Sequence, residues 1–195
     1  MITGKFYFKL KERAVLFFYQ KARILFYSFI SPIKISGVKK QPVLSNGKGK
    51  INISESVTFG VRDSAFFYSG YSYIESRTKE SIIEIGDNCF INNNANIVSD
   101  GKKIIIKNNC LIGLNLQIID SDFHELNPNR RFGGVDIARK NVTINENVFI
   151  GNNVTILKGV NVGKNSVIGN GSVVTKSVPD NSIVAGNPAK IIKSL

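Results

Sequence analysis

The sequence predicts an all-β fold in which the chain winds into a parallel β-helix, and three observations support this. Toward the carboxyl terminus an aliphatic residue falls on every sixth position, at Ile144, Ile150, Ile156, Val162, Ile168 and Val174. The fourth residue after each of them is small or branched, and turn-forming Gly and Asn residues lie between. A period of six fits neither an α-helix nor an alternating strand. It is typical of a triangular coil in which each hexapeptide forms one face.

The same register extends toward the amino terminus, in two further runs. These are Ile85, Ile91 and Ile97, and then Ile106, Ile112 and Ile118. The nine-residue step between the runs predicts that residues 100–103 bulge from a corner. Residues 51–80 fit as irregular first coils. A β-sandwich, the alternative, would show period-two strands at wider spacing, and only a stack of coils buries the apolar face of each.

A polar segment at residues 120–141 interrupts the repeat. It separates Ile118 from Ile144, is rich in Asn, Arg, Gly and Pro, and has no apolar period. We expect a loop that protrudes from the coil, and a loop of this length inside a compact repeat is usually functional. The predicted organisation is therefore a helical segment at 1–45, a coil with this loop at 46–185, and a carboxyl-terminal segment at 186–195.

The first forty residues are basic and aromatic, with nine Lys or Arg against one acid, or +8 of the net charge of +12. We expect residues 5–30 to form one or two helices that end before Pro32. Such a segment (residues 1–40) could lie on an anionic membrane. Alternatively, it packs its apolar side on the open end of the coil or on a neighbouring subunit. No recognition motif supports nucleic-acid binding.

The two cysteines, Cys89 and Cys110, occupy the small inward position of their repeats. We expect buried packing residues there, neither metal ligands nor catalytic thiols. Two core thiols fit a reducing compartment, and no cleavable signal sequence is evident. These features favour a cytoplasmic protein, with the inner face of the membrane as a second location through the basic segment. With 43% hydrophobic residues, a single domain has ample core.

The chain has one histidine, His124, and it lies in the predicted loop. A lone loop histidine is usually a solvated residue, but its neighbours change this interpretation. The Asp-x-Asp-Phe-His motif at 120–124, followed by IGNNVTILKGV, VIGNGSVVT and AGNPAK, resembles the left-handed β-helix, hexapeptide-repeat O-acetyltransferases. The similarity covers about residues 80–195. It points to the branch that acetylates sugars and capsular or lipopolysaccharide glycans in polysaccharide biosynthesis, related to galactoside, maltose and nodulation-factor acetyltransferases.

The resemblance implies a left-handed coil, a homotrimer with active sites between subunits, acetyl-CoA as co-substrate and no metal. It also implies that His124 is the general base that deprotonates the acceptor hydroxyl during direct attack on the thioester. Imidazole, with a pKa near 6.5, suits this role. Asp120, Asp122, Glu125 or a backbone carbonyl could orient the ring. Backbone N–H groups of the facing coils are expected to stabilise the oxyanion.

The resemblance further assigns residues to the two substrates. For acetyl-CoA it indicates Gly151, Asn152, Asn170, Thr175, Lys190 and Lys193, the two lysines lying near the nucleotide phosphates. Gly and Asn at the corners of a β-helix need no ligand to explain them. On the acceptor side it indicates one of Asn93, Asn94 and Asn96, with Asn94 favoured, and Asp122. Arg130 and Arg131 meet an acidic sugar, the CoA, or solvent.

Three functions are therefore open. The first is acetyl transfer from acetyl-CoA to a hydroxyl of a sugar or cell-surface glycan precursor. The second is N-acetylation of an amino sugar or nucleotide sugar on the same fold. The third is a non-catalytic β-helix used for scaffolding or sugar binding. The zinc carbonic anhydrases of this fold are excluded, because a site needs three histidines and the chain has one.

Overall fold

The computed structural model describes residues 2–195, with side chains from Lys11 onward. An α-helix, α1 (Ile2–Ile30), precedes short strands that build three parallel sheets. Sheet A contains β1 (Val38–Lys39), β4 (Thr58–Phe59), β7 (Phe90–Ile91), β10 (Leu111–Ile112), β13 (Phe149–Ile150), β16 (Val167–Ile168), β18 (Ser182–Ala185) and β19 (Lys190–Ser194). Sheet B contains β2 (Val43–Gly47), β5 (Ser72–Ser76), β8 (Asn96–Ser99), β11 (Gln117–Ile119), β14 (Thr155–Ile156) and β17 (Val173–Val174). Sheet C contains β3 (Lys50–Ile53), β6 (Ile82–Ile85), β9 (Lys103–Ile106), β12 (Val142–Ile144) and β15 (Asn161–Val162).

The chain thus visits sheets A, B and C in turn, and each complete turn stacks on the previous one. This is the left-handed parallel β-helix that the sequence predicts. The six aliphatic residues of the carboxyl-terminal register are each at most 1% exposed. They stack in register, since Ile112 pairs with Ile150 and Ile150 with Ile168. The hexapeptide period is therefore the period of the core.

Asparagine forms the corners between sheets C and A, where the backbone is left-handed. The residues are Asn88, Asn109, Asn147, Asn165 and Asn181, with φ between 53° and 60°. Asn tolerates this region better than other non-glycine residues. Its side chains also join the coils: Asn147 Nδ2 donates to Asn165 Oδ1 at 3.0 Å, and Asn165 Nδ2 to Asn181 Oδ1 at 2.8 Å.

Both cysteines are buried packing residues, as predicted. The Cys89 thiol donates to the Lys107 carbonyl at 3.0 Å, and the Cys110 thiol to the Asn145 carbonyl at 3.1 Å. The hydrogen bond with the Cys89 thiol, together with burial, raises the pKa of Cys110 far above its usual range. A thiol held in the protonated form is a poor nucleophile.

The loop protrudes where the sequence predicts it, but the ends of the coil differ. Within residues 120–141, all of them described, no strand of the three sheets occurs. The predicted start of the coil at residue 46 falls inside β2, because β1 already pairs with β4 and β2 with β5. At the other end, β19 turns back and pairs antiparallel with β18. The segment predicted as 186–195 therefore covers the edge of sheet A.

Helix α1 is a single helix that ends before Pro32, as expected, and hydrogen bonds fix it on the first coil. Gln20 Nε2 donates to the carbonyls of Lys40 and Phe67, both at 2.9 Å. Arg23 Nη2 donates to the Gly70 carbonyl at 2.6 Å. Leu16, Ile24 and Tyr27 lie on the same side of the helix and are half-buried, so the docking face combines polar and apolar side chains. Among the described residues, no helix has a run long and apolar enough to cross a membrane.

Candidate active site

The predicted site residues lie on two different corners of the coil. The corner between sheets A and B (the A–B corner) carries Asn94, Gly151, Asn152 and Asn170, which follow β7, β13 and β16. The corner between sheets B and C (the B–C corner) carries Asp122, His124 and Thr175, which follow β11 and β17. Sheet B separates the two corners within one chain. In a single subunit the predicted site residues therefore form two separate groups, here named the two half-sites.

At the B–C corner, Asp120 anchors the start of the loop. Its Oδ2 accepts hydrogen bonds from Ser99 Oγ at 2.7 Å and from the Lys102 backbone N–H at 3.0 Å, and its Oδ1 accepts one from the Asp100 N–H at 2.7 Å. The end of the loop returns to the same place, where Arg139 Nε donates to Asp100 Oδ2 at 3.0 Å. Asp120 is fully buried and therefore holds the base of the loop, not the histidine ring.

Asp122 is fixed by a residue of the next coil. Lys158 Nζ lies 2.6 Å from Asp122 Oδ1, and both side chains are largely buried. The other carboxylate oxygen, Oδ2, is buried without a hydrogen-bond partner among the described residues. On the opposite side, the Arg77 guanidinium lies 4.8 Å from the centroid of the Phe123 ring. The segment that precedes His124 is therefore clamped between residues of the coils below and above it.

The structure resolves which group contacts the histidine ring. His124 is exposed, and its Nδ1 lies 3.3 Å from the Arg131 carbonyl oxygen. A carbonyl oxygen can only accept a hydrogen bond, so Nδ1 carries the proton in this contact and Nε2 is the basic nitrogen. The sequence leaves four alternatives for the group that orients the ring, and the one that contacts the ring is a backbone carbonyl. An imidazole with a free Nε2 at the surface is suited to take a proton from a substrate.

Glu125, another of those alternatives, braces the far side of the loop. It is 4% exposed, and the Arg130 guanidinium lies 2.5 Å from its Oε1. The angle is poor for a hydrogen bond, so the contact is an ion pair. The Arg131 guanidinium donates to the Leu126 carbonyl at 3.4 Å. Both arginines that were candidates for an acidic ligand therefore make contacts within the loop.

At the A–B corner, the candidate cofactor residues form a column along the coils. Asn152 Oδ1 accepts from the Leu114 N–H at 2.8 Å, and Asn170 Oδ1 accepts from the Asn152 N–H at 2.7 Å. A Cβ at Gly151 would lie 2.8 Å from the Asn170 nitrogen, so only glycine fits there. These contacts satisfy the carboxamide oxygens inside the protein.

The carboxyl-terminal lysines extend from this column. The Ala189 N–H donates to the Val173 carbonyl at 2.9 Å, which places Lys190 over the A–B corner. Lys193 pairs with Ile183 in sheet A, and both lysines are exposed. Thr175 is exposed as well, but it lies on the B–C corner and not in the column. Four of the six predicted cofactor residues thus share one corner.

Asn94 lies on the same corner, near the start of the coil. Its backbone is left-handed, with φ 64°, and its Nδ2 donates to Asn115 Oδ1 at 2.8 Å. It lines an open cleft of about 320 Å³ with Tyr71 and Tyr73. Asn93 instead is buried and donates to the Val61, Ser64 and Ala65 carbonyls, which excludes it from binding a substrate.

Sequence reasoning missed Lys158, the partner of Asp122. The two residues are 36 apart in the chain, and the loop between them hides their common position on the B–C corner. The available signal was the six-residue register itself, which places Lys158 at a corner immediately after β14. Among the described residues, no group of three or more His, Cys, Asp or Glu is placed to hold a metal.

Comparison with known proteins gives the family. The bacterial transferase hexapeptide (six repeats) family model matches residues 141–176. The galactoside O-acetyltransferase of Lactococcus lactis is 36% identical, over 60% of this chain and 65% of that enzyme. The chain spans between 37 and 65% of the lengths of the curated relatives that it matches.

Two crystal structures extend the comparison. A hexapeptide-repeat acetyltransferase of Vibrio cholerae, complexed with acetyl-CoA, is 32% identical over 77% of this chain and 70% of that one, with a TM-score of 0.52. The polysialic-acid-specific acetyltransferase NeuO is 30% identical over 83% and 68%, with a TM-score of 0.64. The Vibrio cholerae acetyltransferase is more than 30% identical, and this chain covers more than two thirds of it. Together with the hexapeptide register, this similarity shows that the chain belongs to the hexapeptide-repeat acetyltransferase family.

Proposed function

We propose that this protein is an O-acetyltransferase that moves an acetyl group from acetyl-CoA to a hydroxyl of a sugar or cell-surface glycan precursor. The observation that carries the proposal is the His124 ring, whose Nδ1 contact with the Arg131 carbonyl leaves Nε2 basic in an anchored loop. Two relatives, the galactoside O-acetyltransferase and the polysialic-acid-specific enzyme, are named for sugar acceptors. An alcohol acceptor requires such a base at neutral pH.

In the proposed reaction, His124 Nε2 takes the hydroxyl proton while the acceptor oxygen bonds to the acetyl carbon. The carbon–sulfur bond then breaks, and the imidazolium returns its proton to the departing thiolate. The Arg131 carbonyl stabilises the imidazolium by accepting from Nδ1, and it keeps the ring in the required tautomer. Neither cysteine takes part, because both thiols are buried in the core.

We assign acetyl-CoA to the column on the A–B corner. Gly151, Asn152 and Asn170 would face its pantetheine arm, and Lys190 and Lys193 its phosphates. The assignment is supported by the close spacing of the column and by the exposed ammonium groups at its end. A lysine supplies charge to a phosphate without the bidentate geometry of arginine. Asn94 and Asp122 are our candidates for the acceptor.

The active form in this proposal is a homotrimer. The two half-sites lie on different corners of one rigid coil, so a second subunit is needed to join them. Sheet A offers a surface for this contact: Phe90, Leu111 and Phe149 lie side by side on its outer face and are 45–53% exposed. A neighbour that covers this row would remove apolar surface from water, which favours association.

The proposal is tested with His124→Ala in the intact protein. Thiol release from acetyl-CoA is followed across sugars and glycan fragments, and the affinity for CoA is measured separately. We expect kcat to fall by about 10² or more with the CoA affinity nearly unchanged, because a base acts only in the transition state. The matched control is Val135→Ala, an exposed position of the same loop.

A loss of less than about tenfold for His124→Ala would count against His124 as the base. The products of the same reactions also distinguish O-acetylation from N-acetylation, the second candidate function. An ester product releases acetate in mild base and an amide product does not, so stable products alone would point to an amine acceptor. If no acceptor of either class releases thiol, a non-catalytic role is favoured.

A further inference from the structure

Helix α1 turns a face of mixed polarity inward and an apolar face outward. Its contact with the first coil is made by Gln20, which is buried, and by Arg23, through hydrogen bonds to three backbone carbonyls. Tyr27 adds a ring contact with Tyr71, the centroids 4.7 Å apart. Because these donors are matched to fixed carbonyls, the helix cannot rotate to bury a different face without leaving them unpaired.

The outward side forms a continuous apolar surface, here named the α1 apolar face. It comprises Val15, Phe18, Leu25, Phe26 and Phe29, which are 57–83% exposed. The spacings of 7 and 4 residues that separate Phe18, Leu25 and Phe29 place them on one stripe of the helix. Five large apolar side chains exposed on one stripe are characteristic of a surface that contacts a partner or a membrane.

The charges around this face identify its partner. Lys11 and Lys21 are exposed, and Glu12 is the one acid in the first forty residues, whose net charge is +8. A second copy of α1 would bring two strongly basic segments together, with repulsion at the contact. A lipid surface with anionic headgroups supplies both an apolar layer for the aromatic rings and negative charge for the lysines.

We propose that α1 is an in-plane anchor that binds the protein to an anionic membrane surface. The α1 apolar face enters the region between headgroups and acyl chains, while Gln20 and Arg23 hold the coil against the helix. In this arrangement the first coil faces the membrane and β19 lies at the far end of the stack. The inference is independent of the chemistry proposed for His124.

The test is cosedimentation of the full chain with phosphatidylcholine vesicles, with and without phosphatidylglycerol. We expect binding to the anionic vesicles that weakens with added salt, and little binding to phosphatidylcholine alone. Phe29→Gln and Phe18→Gln should each raise the lipid concentration for half-maximal binding about tenfold, and Lys21→Glu by a similar factor. Phe132→Gln is the matched control, since it removes an exposed ring that lies in the loop and not on the helix.

Sedimentation velocity without lipid, run on the same variants, distinguishes a subunit interface from a membrane anchor. The proposal requires that Phe18→Gln and Phe29→Gln keep the oligomeric state of the parent protein. It is overturned if they dissociate the oligomer, because the face would then bind another copy. Unchanged vesicle binding by both variants, or equal binding to neutral and anionic vesicles, would also overturn it.

Discussion

At the scale of single residues, the loop depends on pairs that tie it to neighbouring coils. His124 is exposed, but the residues before it are held by Asp120, by the Asp122–Lys158 ion pair and by the Arg77–Phe123 contact. A base on a mobile segment would spend little time in the reactive geometry, and an error of about 1 Å can cost about 10² in rate. These pairs therefore position the segment that carries the histidine.

The Asp122–Lys158 pair can be tested by a double-mutant cycle. Lys158→Met leaves a partly buried carboxylate without its cation, so we expect a loss of about 1–3 kcal/mol in the free energy of unfolding. Asp122→Asn in the Lys158→Met background should restore part of it. Urea unfolding gives the coupling energy. Lys164→Met, at an exposed lysine of another corner, is the control, and a coupling energy near zero would show that the two residues act independently.

At the scale of elements, the asparagines of the corners join successive coils. Each Asn of the C–A corner combines a left-handed backbone with a side-chain hydrogen bond to the Asn of a neighbouring coil. Glycine could also adopt the left-handed backbone, but the hydrogen bond between coils needs the carboxamide of asparagine. This explains why Asn recurs at these corners in preference to Gly.

Substitution of Asn165 separates the two functions. Asn165→Ala loses two side-chain hydrogen bonds and puts alanine, which tolerates a left-handed backbone less well than asparagine, at this position. We therefore expect a loss of about 2 kcal/mol in the free energy of unfolding. Asn165→Gly loses the hydrogen bonds alone and should cost clearly less than the alanine variant. Equal losses in denaturant titrations of the two variants would mean that backbone strain plays no part.

The elements also show what the sequence can predict. The hexapeptide register gives Ile144 and Ile150 their inward positions directly, because each face of a coil depends on residues close in the chain. The docking face of α1 was not predictable in this way, since an apolar stripe indicates burial against something but does not identify the partner. Lys158 was missed for a related reason, because the loop conceals which corner it shares with Asp122. The contact of His124 with the Arg131 carbonyl could not be predicted from the sequence, since every residue has a backbone carbonyl.

At the scale of the whole molecule, the proposed function makes oligomerisation a condition of activity, because the two half-sites are separated. Residues of the A–B corner and His124 belong to one reaction in the proposed function, yet sheet B lies between them. The outer row of Phe90, Leu111 and Phe149 lies on sheet A, whereas the loop follows sheet B, so the subunit's own loop does not cover the row.

This dependence is tested with Leu111→Glu, which places a charge in the centre of the apolar row. We expect dissociation into monomers and loss of acetyl transfer together, because an unpaired buried charge opposes the contact. Light scattering measures the assembly, and thiol release measures the activity. Gln117→Glu, on the outer face of sheet B in the same coil, should leave both unchanged. An active monomer would refute the shared site.

The reversal of β19 has a consequence for the solubility of the molecule. A stack of parallel coils does not by itself limit how many coils it contains. Unpaired strands at the end of the last coil could pair with strands of another molecule, as happens in amyloid fibres. Since β19 runs against β18, its free edge does not continue the parallel pattern. In sheet A, the addition of a further parallel coil at this end is thereby disfavoured.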